Sequence, residues 1–380
     1  MSQEIKITIL GDICPTKDYE ELFDNNPNAL FSDISAILQN SDYSICNFEC
    51  PATDSDKPIV KTGPNLKAKP NVVGLLKNIG FDAVSLANNH ILDYGEVGVK
   101  DTLNLANDCN LRYFGGGLNK EEAKKPLIVE IKGKKIAFVS FAEHEFNLAT
   151  ENSAGANGFD PYESLDFIRN IKSASDYVIV LYHGGIEYYK FPSPLLQKKC
   201  RAMVDSGADA VFCQHSHCIG TRESYNNAEI LYGQGNSIFG YRTGNNSWNE
   251  GLVAQITISE SNAVVTYSLL SAQENGIKLE TEQNTKKRIC EFEKDSEKVA
   301  DKSFIEENWK SFCYKQAPLY MPLLLCWSRV SNKLNRIVKN RLFHLLAKKR
   351  AKITCLNLIR CDAHKEVLQT FLENENKKMR

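Results

Sequence analysis

The chain has 380 residues, of which 42% are hydrophobic and 24% charged, and its formal net charge at pH 7 is −1. This composition excludes a wholly disordered chain and supplies enough apolar residues for a sizeable core. Because the net charge is near zero, we expect no nucleic-acid partner. No apolar run reaches the roughly 18 residues of a membrane-spanning helix, and the first residues lack a signal-peptide pattern, so we expect a cytoplasmic protein.

The first part of the chain alternates predicted strands and helices. Strands are predicted over 4–11, 42–48 and 81–87, because these runs are apolar or rich in β-branched residues. Helices are predicted over 70–80 and 96–108, and Asn119 with Glu122 has the spacing of a capping box. Residues 127–141 indicate a β-hairpin through Lys132-Gly133.

The same alternation continues to about residue 275. Asp160-Pro161 with Glu163 predicts the start of one helix, and Ser193-Pro194 predicts the start of another. Strands are predicted over 176–182, 208–214, 228–232, 251–258 and 263–270. Such alternation is typical of an α/β layered architecture. Beyond 275 the strand patterns stop, so we predict an α/β domain over 1–275 and a helical, basic C-terminal extension over 276–380.

Twelve cysteines are spread irregularly along the chain, with no CxxC pair. Several lie within apolar runs, Cys46 and Cys213 among them, where a free thiol behaves as a small hydrophobic group. The pattern predicts reduced, mostly structural cysteines.

Five predicted strands end near a polar residue that can bind a metal ion, and ligands of open α/β sheets bind beyond the carboxyl ends of strands. Histidine, carboxylate and amide donors without thiolate favour Mn, Fe or Zn over a cysteine-rich structural zinc site. Six candidates exceed what one catalytic zinc needs, so the pattern predicts two divalent ions with a bridging carboxylate. The candidates are Asp12, Glu49, Asn89, His183, His215 and His217.

Six short motifs occur in a fixed order within residues 4–272. Together they resemble the CapA family of capsule or poly-γ-glutamate synthesis proteins, which is similar to calcineurin-like metallophosphoesterases. The resemblance implies a four-layer αββα sandwich around a dinuclear metal site. The motifs are Gly11-Asp12, Asn47-Phe48-Glu49, Ala87-Asn88-Asn89-His90 with Asp93-Tyr94-Gly95, Tyr182-His183-Gly184-Gly185 with Glu187, Gln214-His215-Ser216-His217, and Gly235-Asn236.

The resemblance also assigns roles. Glu49 stands where phosphoesterases place the bridging carboxylate, and His90 matches the histidine that acts on the substrate. The chain departs from the family pattern at Cys14, two residues after Asp12, where phosphoesterases usually carry a histidine. That departure implies a weakened metal site and puts ordinary phosphoesterase activity in doubt; ligation by the Cys14 thiolate is the alternative.

Other candidates line the loops that follow the strands. Glu187 is predicted to orient a ligand or protonate the substrate, with a solvated loop carboxylate as the alternative. Lys61, in the loop after Glu49, is predicted to bind an anionic group of the substrate, with a solvated lysine as the alternative. Asn47 is assigned to substrate binding. For His144 and Glu145 we expect a polar loop rather than a cleft wall.

The C-terminal extension is strongly basic, with twelve Lys and Arg and no Asp or Glu over 308–361. Apolar residues between Leu334 and Leu346 fall near helical spacing, with basic residues on the flanks. Two interpretations stay open: a helix packed on the catalytic domain, and a helix that docks on the inner face of a membrane.

The resemblance implies a CapA-like protein of capsule, poly-γ-glutamate or surface polysaccharide biosynthesis. The predicted activity is dinuclear-metal hydrolysis of a phosphoester or γ-glutamyl amide bond in an anionic polymer or peptide. Two alternatives stay open. One is a metal-dependent peptide epimerase with His90 as acid or base, and the other is a non-catalytic assembly factor that binds the polymer.

Overall fold

The computed structural model describes residues 4–324 except 17, 26 and 261, and isolated positions between 333 and 372. Apart from two positions, the predicted helical stretch over 334–346 lies outside the described residues. The strands are β1 (Ile5–Ile13), β2 (Tyr43–Phe48), β3 (Ala83–Ser85), β4 (Arg112–Phe114), β5 (Gly116–Gly117), β6 (Leu127–Ile131), β7 (Lys134–Ala142), β8 (Gly155–Ala156), β9 (Tyr177–His183), β10 (Ala210–Gln214), β11 (Arg222–Tyr225), β12 (Ala228–Leu231), β13 (Asn236–Ile238), β14 (Glu250–Ile258), β15 (Ala263–Gln273) and β16 (Gly276–Leu279).

The helices lie between these strands and after them. None in the described residues is long and apolar enough to cross a membrane. A 3₁₀-helix covers Glu297–Ala300. The α-helices are α1 (Asp18–Asn25), α2 (Pro27–Gln39), α3 (Asn71–Ile79), α4 (Gly95–Asp108), α5 (Lys120–Ala123), α6 (Ser164–Ser173), α7 (Pro194–Asp205), α8 (Asn246–Asn249), α9 (Glu282–Ser296) and α10 (Lys302–Leu324).

Two large sheets form the middle of the α/β part. The first has the order β16-β15-β14-β1-β2-β3-β4, in which β1 to β4 run parallel and β13 pairs with the end of β1. The second has the order β11-β12-β10-β9-β7-β6, in which β7, β9, β10 and β12 run parallel. The parallel strands of both sheets carry the predicted site residues at their carboxyl ends.

Side-chain alternation along the strands builds two cores. Ile7 and Ile9 of β1 pack with Phe138, Leu181 and Phe212 of the second sheet, so this core lies between the sheets. The opposite face of the first sheet packs against α1 to α4, and α6 and α7 contact the second sheet. The predicted four-layer αββα sandwich is therefore confirmed.

Most predicted elements are present, but two details differ. The helix expected at Asp160-Pro161 begins at Ser164, because Oδ1 of Asp160 instead accepts from the amide of Tyr162 at 2.7 Å in a turn. Helices α1 and α2 have no counterpart among the sequence predictions. The cysteines in the described part of the chain are free thiols.

The α/β part also extends beyond residue 275. One compact unit covers Met1–Ile305 and a second covers Glu306–Arg380. Strand β16 pairs with β15, and Phe292 of α9 lies in the core between the sheets, 5.5 Å from the ring of Tyr267. The structure thus places residues 276–305 with the α/β unit, because they cover an edge and a face of its sheet.

Candidate metal centre

A bulge in β1 turns Asp12 toward the second sheet. The pairing of β1 with β2 shifts register between Leu10 and Asp12. A one-residue bulge reverses the face that later side chains occupy, so Asp12 faces the inter-sheet side while Ile13 packs in the helix-side core. Gly11, the extra residue, has no room for a side chain, because a Cβ there would lie 2.4 Å from the carbonyl oxygen of Gly235.

Two groups of buried donor atoms share Glu49. In the first, one ligand atom each of Glu49, His183 and His215 lie within 4.8 Å of one another. In the second, the same holds for Asp12, Glu49 and His217. These residues come from the ends of β1, β2, β9 and β10, which belong to both sheets. The structure thus brings five of the six predicted ligands together at one edge.

Asn89, the sixth predicted ligand, lies beside the first group. Its Oδ1 is 3.0 Å from Nε2 of His183, and the same nitrogen is 3.4 Å from Oε1 of Glu49. Nδ2 of Asn47 is 3.1 Å from Nδ1 of His183 and donates to Oδ1 of Asp12 at 2.7 Å. Asn47 is 0% exposed. In the structure this amide contacts two candidate ligands, and substrate binding by Asn47 stays a prediction.

Backbone strain marks the segment that carries His215 and His217. Their φ angles are 89° and 50°, in a region that costs residues other than glycine about 1–3 kcal/mol. The amide of His215 donates to Oδ2 of Asp12 at 3.0 Å. Nδ2 of Asn236 donates to the Trp248 carbonyl, so its Oδ1 accepts from Nδ1 of His217 at 2.9 Å. That hydrogen bond leaves Nε2 of His217 free to act as a ligand.

The donor atoms have the chemistry of a divalent-cation site. Both carboxylate oxygens of Glu49 and Nδ1 of His215 are buried without a hydrogen-bond partner among the described residues. Burial lowers the pKa of His183 to about 4 and the pKa of His215 and of His217 to about 3, so these rings are neutral. Burial, with Glu49 nearby, raises the pKa of Asp12 to about 8. A cation would satisfy the unpaired atoms and favour the ionised carboxylates, so the residues fit such an ion.

His90 forms a buried network with Asp93 and Lys61. Nδ1 of His90 lies 2.6 Å from Oδ2 of Asp93, and because a carboxylate only accepts, this nitrogen carries the proton. Lys61 makes an ion pair with the other oxygen of Asp93, and the two side chains are 2% and 1% exposed. Lys61 thus contacts Asp93, and Nε2 of His90 remains for a reactant. The contact of Lys61 with substrate stays a prediction.

A pocket of about 570 Å³ adjoins these residues. His90, His217 and Glu187 line it, so the predicted catalytic Glu187 lies on the pocket wall. Burial and the charge of Glu145 raise the pKa of Glu187. Glu145 was expected in a polar loop away from the cleft, but its Oε1 lies 4.0 Å from Nε2 of His215.

Sequence patterns miss three further residues of the pocket wall, Tyr188, Arg242 and Trp248. None of them ends a strand or belongs to a metal-binding motif. The available signal is local: Gly240 and Gly244 both have positive φ, 78° and 74°, and shape the loop that presents Arg242 and Trp248.

The αββα sandwich, with histidine and carboxylate side chains at the strand ends of both sheets, is a metallophosphoesterase-like fold. The family model described as bacterial capsule synthesis protein PGA_cap matches residues 6–241. The chain therefore belongs to that capsule synthesis family.

Two curated relatives from Bacillus have similar sequences. The chain is 32% identical to the capsule biosynthesis protein CapA of Bacillus anthracis over 248 residues, 63% of this chain and 60% of the relative. It is 31% identical to the PGA biosynthesis protein CapA of Bacillus subtilis over 245 residues, 62% of this chain and 63% of the relative. The matched part of the chain thus spans less than two thirds of the length of either relative.

Solved structures with similar folds share little sequence. A phosphatase from Mycoplasma pneumoniae has 14% identity and a TM-score of 0.44, and the match covers 70% of this chain and 95% of that one. A 5'-nucleotidase precursor from Thermus thermophilus has 12% identity and a TM-score of 0.40, and the match covers 79% of this chain and 60% of that one.

Proposed function

We propose that this protein is a divalent-metal-dependent hydrolase of capsule or poly-γ-glutamate metabolism, acting on a phosphoester or γ-glutamyl amide bond. One observation carries the proposal: Glu49, buried and without a hydrogen-bond partner among the described residues, belongs to two donor groups at once. A carboxylate shared by two donor sets is the arrangement of two-metal hydrolytic sites.

The chain would hold one ion with Glu49, Asn89, His183 and His215, and a second with Asp12, Glu49 and His217. Bound divalent ions would acidify a water molecule and polarise the oxygen of the bond to be cleaved. The protein keeps the imidazoles neutral by burial, and the amide oxygen of Asn236 fixes the orientation of His217.

His90 would transfer a proton at the reacting bond. Asp93 holds the proton on Nδ1, and Nε2 is the nitrogen left to accept a proton from an attacking group or give one to a leaving group. Glu187 lines the same pocket and has a raised pKa, which suits a carboxyl group that delivers a proton near neutral pH.

The test uses the full chain, stripped of metal and reloaded separately with Mn²⁺, Fe²⁺ and Zn²⁺. Each preparation is assayed against a panel of phosphomonoesters, phosphodiesters and γ-glutamyl peptides, with release of phosphate, alcohol or amine, respectively, as the readout. We expect turnover of one bond class in a reloaded protein and none in the stripped protein.

The two alternatives give different results in the same experiment. Deuterium incorporation at Cα of a peptide without bond cleavage would replace hydrolysis by epimerisation. A metal-loaded protein that cleaves no bond and exchanges no proton, yet binds the polymer, would replace catalysis by an assembly role.

A further inference from the structure

Two hydrogen bonds to the side chain of Asn249 fix the backbone of Arg242. Its amide donates to Oδ1 of Asn249 at 2.9 Å, and Nδ2 of Asn249 donates to the Arg242 carbonyl at 2.8 Å. Asn249 is only 8% exposed. Asn245 caps the helix that carries Asn249, since its Oδ1 accepts from the amide of Trp248 at 3.1 Å. The loop therefore presents Arg242 from a fixed position.

The guanidinium of Arg242 lies on the indole of Trp248. Its Cζ is 3.0 Å from the ring centroid, and the indole is itself anchored, because Nε1 donates to the Gly240 carbonyl at 2.9 Å. One guanidinium nitrogen donates to the hydroxyl of Tyr188 at 3.2 Å. Among the described residues Arg242 makes no ion pair, so most of its five N–H donors remain for a ligand. A stacked guanidinium with free donors is the form in which arginine binds planar anions.

The same indole connects Arg242 to the metal centre. The ring of Trp248 lies 4.7 Å from the ring of His217, a candidate metal ligand. Arg242, Trp248 and His217 all line the pocket that also holds His90 and Glu187. A ligand that reaches the metal ligands can therefore also reach the guanidinium.

The other charges of the pocket point to a singly charged group. The wall contains two cations, Lys67 and Arg242, and two carboxylates, Glu20 and Glu187. Lys67 is engaged, since its Nζ donates to the Ser55 carbonyl at 2.6 Å. Two cations and two carboxylates leave this wall with little net charge, which suits a singly charged carboxylate on an organic chain better than a phosphate dianion.

We propose that Arg242 is the specificity-determining residue of a carboxylate subsite, which binds a carboxylate of the substrate away from the bond that reacts. The inference rests on the proposed function for the identity of the reacting end, and on the Trp248-stacked guanidinium for the subsite itself. It predicts that affinity depends on a free carboxylate in the substrate.

The test is equilibrium calorimetry on the full chain, as purified and with added Mn²⁺. The probes are γ-linked triglutamate, the same peptide with all of its carboxylates converted to carboxamides, and inorganic phosphate. The variants are Arg242→Gln, Arg242→Lys and Arg169→Gln, the last of which removes an equal charge from an exposed ion pair on α6. Metal content and thermal unfolding are recorded for every variant.

For triglutamate we expect Arg242→Gln to weaken binding about 10- to 100-fold, the loss of one or two charge-assisted hydrogen bonds. The triglutamate affinity of Arg242→Lys should lie between those of the wild type and Arg242→Gln, because a lysine keeps the charge but cannot donate two parallel hydrogen bonds. Arg169→Gln should bind as the wild type does, and the carboxamide peptide should bind equally weakly to all variants. If Arg242→Gln loses its fold or metal, the triglutamate affinity of Arg242→Lys, compared with that of the wild type, decides whether the subsite exists.

Equal triglutamate affinity in Arg242→Lys, Arg242→Gln and the wild type would overturn the subsite. A loss of phosphate affinity with triglutamate affinity unchanged would also overturn it, in favour of a phosphate site. Because binding is measured without turnover, a protein that cleaves nothing but shows the Arg242 dependence refutes the hydrolase and keeps the subsite. If the protein cleaves a substrate and Arg242→Gln leaves the KM unchanged, the hydrolase is supported and the subsite is refuted.

Discussion

Around Glu49, the donor group with His183 and His215 also has the amide oxygen of Asn89, 3.0 Å from Nε2 of His183. Each group has three histidine or carboxylate donors among the described residues, and beside the group with Asp12 and His217 the amide oxygen of Asn236 accepts from Nδ1 of His217. The two halves of the centre thus have the same shared carboxylate but different numbers of donors. We expect one ion to bind more tightly than the other.

Cys14 accounts for the difference between the two groups. It occupies the position two residues after Asp12, but it is 0% exposed within the helix-side core. Burial raises the pKa of the Cys14 thiol well above its usual range, and the neighbouring Cys50 adds to the effect. A protonated thiol in an apolar core is a poor ligand, because metals bind the thiolate. The structure therefore favours weaker binding of the ion held by Asp12, Glu49 and His217 over ligation by Cys14.

The largest effect should follow from removing the residue that both groups share. We expect Glu49→Gln to leave only trace metal and no measurable turnover, since both ions lose the one carboxylate that they share. Elemental analysis after desalting is the measurement. Glu163→Gln, at an exposed ion pair with Lys120, is the control and should retain both metal and turnover. Wild-type metal content in Glu49→Gln would remove Glu49 from the centre.

The next largest effect should separate His90 from the ligands. His90→Ala should lower turnover about 10²–10⁴-fold, the range for loss of a general acid or base, while the bound metal stays near the wild-type amount. His144→Ala replaces an exposed histidine and serves as the matched control. Complete loss of metal in His90→Ala would reassign this histidine to the ligand set.

Replacing Lys61 should affect stability more than substrate binding. Lys61→Met leaves the buried carboxylate of Asp93 without its lysine partner, and breaking such a pair costs about 3–5 kcal/mol in the free energy of unfolding. Denaturant unfolding measures the loss. Lys69→Met breaks an exposed ion pair with Asp24 and should cost at most about 1 kcal/mol. Unchanged stability with a raised KM in Lys61→Met would instead support the prediction that Lys61 binds an anionic group of the substrate.

The smallest effect should come from the residue that distinguishes the two donor groups. Cys14→Ala should leave the number of bound ions unchanged and lower the free energy of unfolding by about 1 kcal/mol, a typical cost for a core substitution. Cys46→Ala, another fully buried cysteine, is the matched control. Loss of one ion in Cys14→Ala alone would show that the thiol is a ligand after all.

Most of the metal centre could be predicted because its residues follow parallel strands, whose carboxyl ends meet at one edge whatever the loops do. The contacts of Asn47 and Lys61 could not, because they depend on which partner lies across the edge: His183 comes from the other sheet, and Asp93 from a separate loop. The subsite at Arg242 could not be predicted from the sequence either. Its stacking on Trp248 depends on a loop conformation that no strand pattern encodes.

The central claim is that one carboxylate serves two unequal metal sites, and a metal titration of the full chain tests it most directly. We expect the wild type to bind two divalent ions per chain with distinct affinities, His215→Ala to lose the tighter one, and His217→Ala to lose the weaker one. A wild type that binds no more than trace metal, or the loss of both ions in each variant to the same extent, would contradict the account.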